Sequence, residues 1–254
     1  MTETFGDVTV SLDDAHVAEV EMHRPPANYF DATLLSGIVE AVRWAEGQGG
    51  RAVVLCSEGR HFCAGLDFGD ISKPDLGALR TLYDQAIALM SGPLPLVVAV
   101  QGAAIGGGLG LVMAGDFRVG TPDSRYSANF ARLGFHQGFG LSVTLPATIG
   151  LQAASALLLS GRRINGLEAM RIGLCDRLSD EPRAEAHALA DEIARSAPLA
   201  VRSIRSTLRH GLEDSFAAAV DHERTEQLRL METEDFTEGI AASLERRDPR
   251  FRGR

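Results

Sequence analysis

Two glycine turns carry the residue types best placed to do chemistry in this chain. In the stretch Gly102-Ala-Ala-Ile-Gly-Gly-Gly-Leu-Gly-Leu-Val-Met-Ala-Gly-Asp116, the three consecutive glycines Gly106 to Gly108 let the backbone approach another group with no side chain in the way. The free N–H groups at the start of the helix that follows can hold an oxygen carrying negative charge. A second turn lies upstream, in Val53-Val-Leu-Cys-Ser-Glu-Gly-Arg-His-Phe-Cys-Ala-Gly-Leu-Asp67. One N–H from each turn, aimed at the same point, makes an oxyanion site with a carbonyl oxygen as its target. The same glycines also serve plain strand–helix packing, and the sequence leaves both roles open.

Elements of both periods must position these turns. Val8 to Leu12 and Val17 to Met22 alternate as short strands joined by Asp13-Asp14, and Pro25-Pro26 then stops regular structure. Asp31 caps a helix whose apolar face is Leu34, Leu35, Ile38 and Val42. Strand 52–56 leads into the first turn. A stretch of weak pattern, 68–74, precedes an amphipathic helix over 76–90. Strand 94–100 leads into the second turn, and short strands are expected at 117–120 and 126–128. The rest reads as helices over 138–148, 151–159, 166–172 (capped by Asn165), 181–197, 199–209, 213–231 and 233–247. Strands alternating with helices give an α/β class. No Gly/Ser- or Pro-rich linker divides the chain, although the helices after about Leu199 could pack as a unit of their own.

Composition narrows the function. The 254 residues suffice for one large domain, and 45% hydrophobic residues supply its core. A formal net charge of −9 and the lack of a dominant basic block argue against a nucleic-acid partner. Cys56, Cys63 and Cys175 have no zinc spacing and an odd count, which suits reduced thiols and a cytoplasmic setting. The N-terminal residues have neither the basic nor the apolar part of a secretory signal. No uninterrupted apolar run is expected to span a membrane; 94–113 comes closest and is broken by glycines and Gln101.

Taken together, His-Phe-Cys-Ala-Gly-Leu-Asp at 61–67, Gly-Gly-Gly-Leu-Gly at 106–110, Asp116-Phe-Arg118, Leu157-Leu-Leu-Ser-Gly-Arg162, Ala169-Met-Arg-Ile-Gly-Leu174 and the segment beginning at Glu238 resemble the enoyl-CoA hydratase/isomerase, or crotonase, superfamily. They run in the family's order over nearly the whole chain. The resemblance implies a crotonase-like (ClpP/crotonase) spiral of ββα units over 1–198 with C-terminal helices over 199–254 for packing and oligomerisation. It also implies a homotrimer or dimer of trimers and an acyl-CoA thioester substrate, with coenzyme A as part of that substrate and no further cofactor. It assigns the oxyanion donors to the N–H groups of Leu66 and Gly107. Contacts to coenzyme A fall on Arg24, Ala27, Cys63 and Ala64.

The acid/base groups that the resemblance would supply are missing. The two hydratase glutamates fall on Gly110 and Phe130, and the aspartates of related isomerases, dehalogenases and naphthoate synthases fall on Gly138 and Gln137. Within Arg132-Leu-Gly-Phe-His-Gln-Gly-Phe-Gly140, His136 is the best substitute base, because its ordinary pKa lies near neutrality. It could equally be a loop histidine bonded to backbone. Gln137 can orient water but cannot act as a base. Arg132 could meet a substrate carboxylate, and Tyr126 and Asn129 are further pocket candidates. Asp67 reads as a helix cap, and Asp221, His222 and Glu223 as the solvated or subunit face of a late helix. His61 and Cys63 lack a third ligand for a metal. Three expectations follow: a family enzyme working through a stabilised thioester enolate, a non-catalytic acyl-CoA binding protein, or a CoA-thioester hydrolase or decarboxylase.

Overall fold

Residues 1–67 and 76–254 are described by a computed structural model of the chain. The weakly patterned 68–74 stretch, Asp70 included, lies outside them. Strands β1 (Thr2–Phe5), β2 (Val8–Leu12) and β3 (Val17–Met22) form an antiparallel meander. Val8, Val10 and Leu12 point inward, as their alternation predicts. β1 carries no such alternation and exists through its pairing with β2. In helix α1 (Ala32–Gly47), the Asp31 carboxylate accepts the Leu34 N–H at 2.8 Å, and the predicted apolar face is buried.

From here two sheets grow in step. β4 (Ala52–Ser57) joins the main sheet, Cys63 bridges to the second, and α2 (Leu76–Met90) packs outside. Next come β5 (Leu96–Val100), β6 (Ala103–Ile105) and α3 (Gly107–Met113). The third set is β7 (Phe117–Gly120), β8 (Arg125–Ser127), a 3-10 turn over Asn129–Leu133, and α4 (Leu141–Ser160). Each set thus gives one strand to each sheet and then a helix, a ββα repeat. β9 (Arg163–Asn165), α5 (Gly166–Arg171) and β10 (Arg177–Leu178) close both sheets. The main sheet runs β1-β2-β3-β4-β5-β7-β10, parallel from β3 onward, and the second runs β6-β8-β9.

α6 (Pro182–Ala194) covers the outer face of the main sheet. α7 (Pro198–Leu208), α8 (Leu212–Met231) and α9 (Glu234–Leu244) follow. Asp116, at the end of α3, ties them down: its carboxylate accepts the Leu96 N–H at 2.8 Å and pairs with Arg205 at 2.8 Å and Arg209 at 2.7 Å. Phe216 and Val220 of α8 belong to the same core cluster as the strands. Glu223, read from the sequence as part of a solvated or subunit face, is instead wholly buried (0% exposed) inside its own chain. Its two oxygens accept the N–H groups of Gly140 (2.7 Å) and Ser142 (2.9 Å), which have no partner inside the first turn of α4. α4 also corrects an expectation, since by length and composition it could cross a membrane. Gly150 (φ 77°, ψ 154°) breaks it, and Leu141, Leu145, Ala154 and Leu157 pack into the core.

Candidate active site

The two glycine turns meet. Ala64 donates its N–H to Ala27 O (2.9 Å), Phe30 donates to Gly65 O (3.0 Å), and the Cys63 carbonyl accepts the Ile105 N–H (3.1 Å), which stitches the turns together. Gly65 takes φ +88°, and a Cβ there would stand 2.9 Å from Ile105 O and 3.8 Å from Gly107 N. The Gly106 N–H is used on Ser127 O at 2.8 Å. Among the described residues, those of Leu66 and Gly107 have no acceptor, and both residues line one cavity of about 400 Å³.

The glycines of α3 also do the packing that the sequence left as their other role. A Cβ on Gly107 would lie 2.2 Å from the Phe30 ring, and one on Gly108 would lie 2.2 Å from Cys63 O. At Gly110, to which the family resemblance assigns the first hydratase glutamate, a Cβ would lie 2.4 Å from Phe139 Cβ. Phe30 and Phe139 meet edge to face at 5.8 Å, so an aromatic pair covers the start of the helix.

Apolar groups make most of the cavity wall, among them Leu79, Leu82, Phe130, Leu133, Phe135 and Met231. Phe130, to which the family resemblance assigns the second glutamate, is buried against Phe135 with ring centroids 5.5 Å apart. Two polar side chains are buried in this wall, Tyr83 and Gln227 (5% and 4% exposed). The Tyr83 hydroxyl donates to Gln227 Oε1 at 2.5 Å, and Gln227 Nε2 donates to the His136 carbonyl at 3.0 Å. Together they fill the space beside Gly138, where a Cβ would lie 2.5 Å from the Tyr83 hydroxyl and 2.7 Å from Gln227 Nε2. Burial raises the Tyr83 phenol well above its ordinary value, and the buried Glu223 charge adds to the shift, so the phenol stays protonated. Among the described lining residues, Asp67 is the one carboxylate and there is no imidazole.

Several sequence candidates stand elsewhere. His136 is outside the cavity lining: its Nδ1 meets Gln137 O at 2.9 Å, and its ring lies edge to face with His222 at 5.9 Å. Gln137 is turned to the Ser142 hydroxyl at 2.8 Å and does not line the cavity either. Tyr126 is a core residue with its hydroxyl 3.6 Å from Cys175 Sγ, whereas Asn129 does line the cavity. Cys63 is wholly buried, and burial pushes its thiol up to about 12, so its side chain cannot reach a surface ligand. Ala64 is the member of that pair that faces the cavity. Arg24 engages Asp7 at 2.6 Å and Asp31 at 2.8 Å rather than standing free. Ala27 sits in a turn organised by Asn28, whose buried amide accepts from Arg24 N–H and donates to Glu58 O and His61 O.

Tyr83 and Gln227 escaped the sequence reading, each hidden in an amphipathic helix. A tyrosine within an apolar stripe is itself a signal, since a buried hydroxyl needs a partner. Among the described residues, the group with metal-ligand geometry is Glu19, Glu21 and Cys56, below α6. Arg183 pairs with both carboxylates there, and its hydrogen bonds, with that of His187, lower Glu19 to about 2. The guanidinium occupies the place of a cation.

The profile of the enoyl-CoA hydratase/isomerase family matches residues 13–254. Cyclohexa-1,5-dienecarbonyl-CoA hydratase of Thauera aromatica is 33% identical over 263 residues, covering 100% of both chains. Carnitinyl-CoA dehydratase of Proteus mirabilis is 31% identical over 256 residues, covering 94% of this chain and 95% of its own. An enoyl-CoA hydratase/isomerase from Pseudoalteromonas atlantica superposes with a TM-score of 0.88 at 27% identity, over 97% of this chain and 100% of the other. The chain belongs to the enoyl-CoA hydratase/isomerase family. Its fold is crotonase-like, and at the level of the family it is an acyl-CoA enzyme.

Proposed function

We propose that the protein binds an acyl-CoA thioester with its carbonyl oxygen on the N–H groups of Leu66 and Gly107, and that its reaction passes through the enolate held there. The observation that carries this reading is the pair of unspent N–H groups on one cavity. As charge grows on the oxygen, both hydrogen bonds strengthen; one such donor contributes about 10²–10³ in rate in a studied hydrolase. Coenzyme A enters over Ala27 and Ala64, with Asn28 holding that turn in shape.

The proton role expected of His136 passes in this reading to Tyr83, a protonated group buried in the wall. In hydration of a 2-enoyl thioester, water adds to C3 and the C2–C3 π electrons move to the carbonyl oxygen to give the enolate; the Tyr83 proton then moves to C2, and the surplus proton of the added water restores the phenol. We further propose a homotrimer or dimer of trimers, which the exposed Leu151, Leu159, Leu199 and Leu208 support, and a cytoplasmic setting, which suits three free, buried thiols.

The test is mass spectrometry of saturated, 2-enoyl, 3-enoyl and malonyl-type CoA thioesters incubated with the protein in heavy water. Gain of water, or deuterium at the carbon beside the carbonyl, is the expected result. Tyr83→Phe should slow it by about 10²–10⁴, and His136→Ala should leave it unchanged. Lost carbon dioxide makes the protein a decarboxylase, still through the enolate. Free CoA makes it a hydrolase and overturns the enolate route. Thioesters bound but unchanged make it an acyl-CoA binding protein, the reading that Gly110, Phe130 and Gly138 favour.

A further inference from the structure

A second cleft continues from the cavity. The two share Asn129, Leu133, Arg163, Ser243 and Arg246. The second cleft lies between the 3-10 turn, the start of β9 and the chain beyond α9, and its walls are rich in arginine. Most of its guanidinium groups are neutralised locally: Arg132 by Asp248 (3.1 Å), Arg162 by Glu168 (2.8 Å), and Arg247 by Glu238 (2.5 Å). Arg163 and Arg246 are different. Among the described residues, neither has a carboxylate partner, although acidic residues outnumber basic ones by 34 to 25 in the chain. These two arginines line both the cavity and the cleft.

We infer that the acyl group carries a carboxylate at its far end, and that Arg163 and Arg246 hold it. The substrate class is then the CoA thioester of a dicarboxylic acid. This rests on the proposed binding of an acyl-CoA thioester in the cavity. With the carbonyl on Leu66 and Gly107, the chain beyond the thioester crosses the apolar wall of Phe130, Leu133 and Phe135 and comes to the two free guanidinium groups. A guanidinium fork matches a carboxylate with two parallel N–H···O bonds. The turn proposed for coenzyme A, Arg24 to Asn28, lines neither the cavity nor the cleft, so the phosphates have a different place to lie. Arg132, the sequence's candidate for a substrate carboxylate, is occupied by Asp248.

The experiment is calorimetric titration of the intact protein with glutaryl-CoA and valeryl-CoA, which match in chain length and differ in the terminal carboxylate. Wild type should bind glutaryl-CoA at least about tenfold more tightly. Arg163→Gln and Arg246→Gln should each reduce that advantage, and the double variant should abolish it, with valeryl-CoA affinity unchanged throughout. Both side chains are exposed, so unfolding temperature should stay constant and serves as the folding control. Equal affinities in wild type overturn the inference and leave the acyl-CoA reading intact. Equal weakening of both thioesters in the double variant overturns it in favour of contact with the CoA phosphates. Binding of neither thioester overturns the acyl-CoA reading and the inference with it.

Discussion

Gly110 is the position to which the family resemblance assigns a hydratase glutamate, and adding the first carbon of any side chain there should destabilise the protein. Two effects of opposite sign compete in Gly110→Ala. Inside a helix, alanine is better than glycine by about 0.8–1.0 kcal/mol. Against that, the new Cβ would lie 2.4 Å from Phe139 Cβ and 2.7 Å from its Cγ, where carbon atoms rest at about 3.5–4.0 Å. Phe139 cannot simply swing aside, since it is 2% exposed and lies edge to face with Phe30. Overpacking of this kind costs about 1–3 kcal/mol or more, and because the atoms to be displaced are the Cβ and Cγ of Phe139 rather than a flexible chain end, the upper half of that range applies and the clash should win by roughly 1–2 kcal/mol. In a chain of this size that is a fall of about 2–8 °C in unfolding temperature. Gly47 is the internal control: it is also helical, nothing lies within 4 Å of its added Cβ, and Gly47→Ala should stabilise by up to about 1 kcal/mol. Thermal unfolding of both variants measures the two signs. A Gly110→Ala protein as stable as Gly47→Ala would refute the reasoning. It would also reopen the possibility that a glutamate at 110 could be restored without rebuilding the pocket.

Glu223 makes a prediction about pH. Its burial holds the carboxyl above the ordinary 4.5, despite the N–H donors of Ser142 and Gly140. The folded state therefore binds this proton more tightly than the unfolded chain, and this group's contribution to stability falls as pH rises from below 4.5 through the folded value. Glu223→Gln removes that dependence, so wild type should lose stability relative to the variant across that window; unfolding temperatures in a pH series would show it, and a flat or opposite trend would count against it. Asn28→Ala removes three hydrogen bonds to backbone groups of two turns and should cost about 3 kcal/mol. Asn28→Gly should be nearly as costly, although it suits the φ of +48° better, because the lost bonds are the same. Both variants should also weaken acyl-CoA binding in the calorimeter.

How much of this was legible in the sequence depends on the range of the interaction. Local signals were readable to within a residue or two: Asp31 and Asn165 accept the N–H groups expected of helix caps, and the limits of β2, β3 and α2 follow from apolar period alone. The meeting of the two glycine turns was also legible, because each turn follows a buried parallel strand and neighbouring parallel strands end on the same side. What the sequence hid are side chains whose partners lie far along the chain. Tyr83 and Gln227 are 144 residues apart, and Glu223 reaches Ser142 across 81, so no local pattern separates them from ordinary core or surface positions. His136 shows the opposite case. Its residue type and its place in the loop both suggested catalysis, but the loop backbone turns the ring toward His222 and leaves only its carbonyl to fix Gln227. A side chain's chemistry can be read from one position, but its direction is set by the backbone around it. Here that backbone brings Tyr83 to the wall and turns the histidine away, so the two variants Tyr83→Phe and His136→Ala divide the chemistry by direction rather than by residue type.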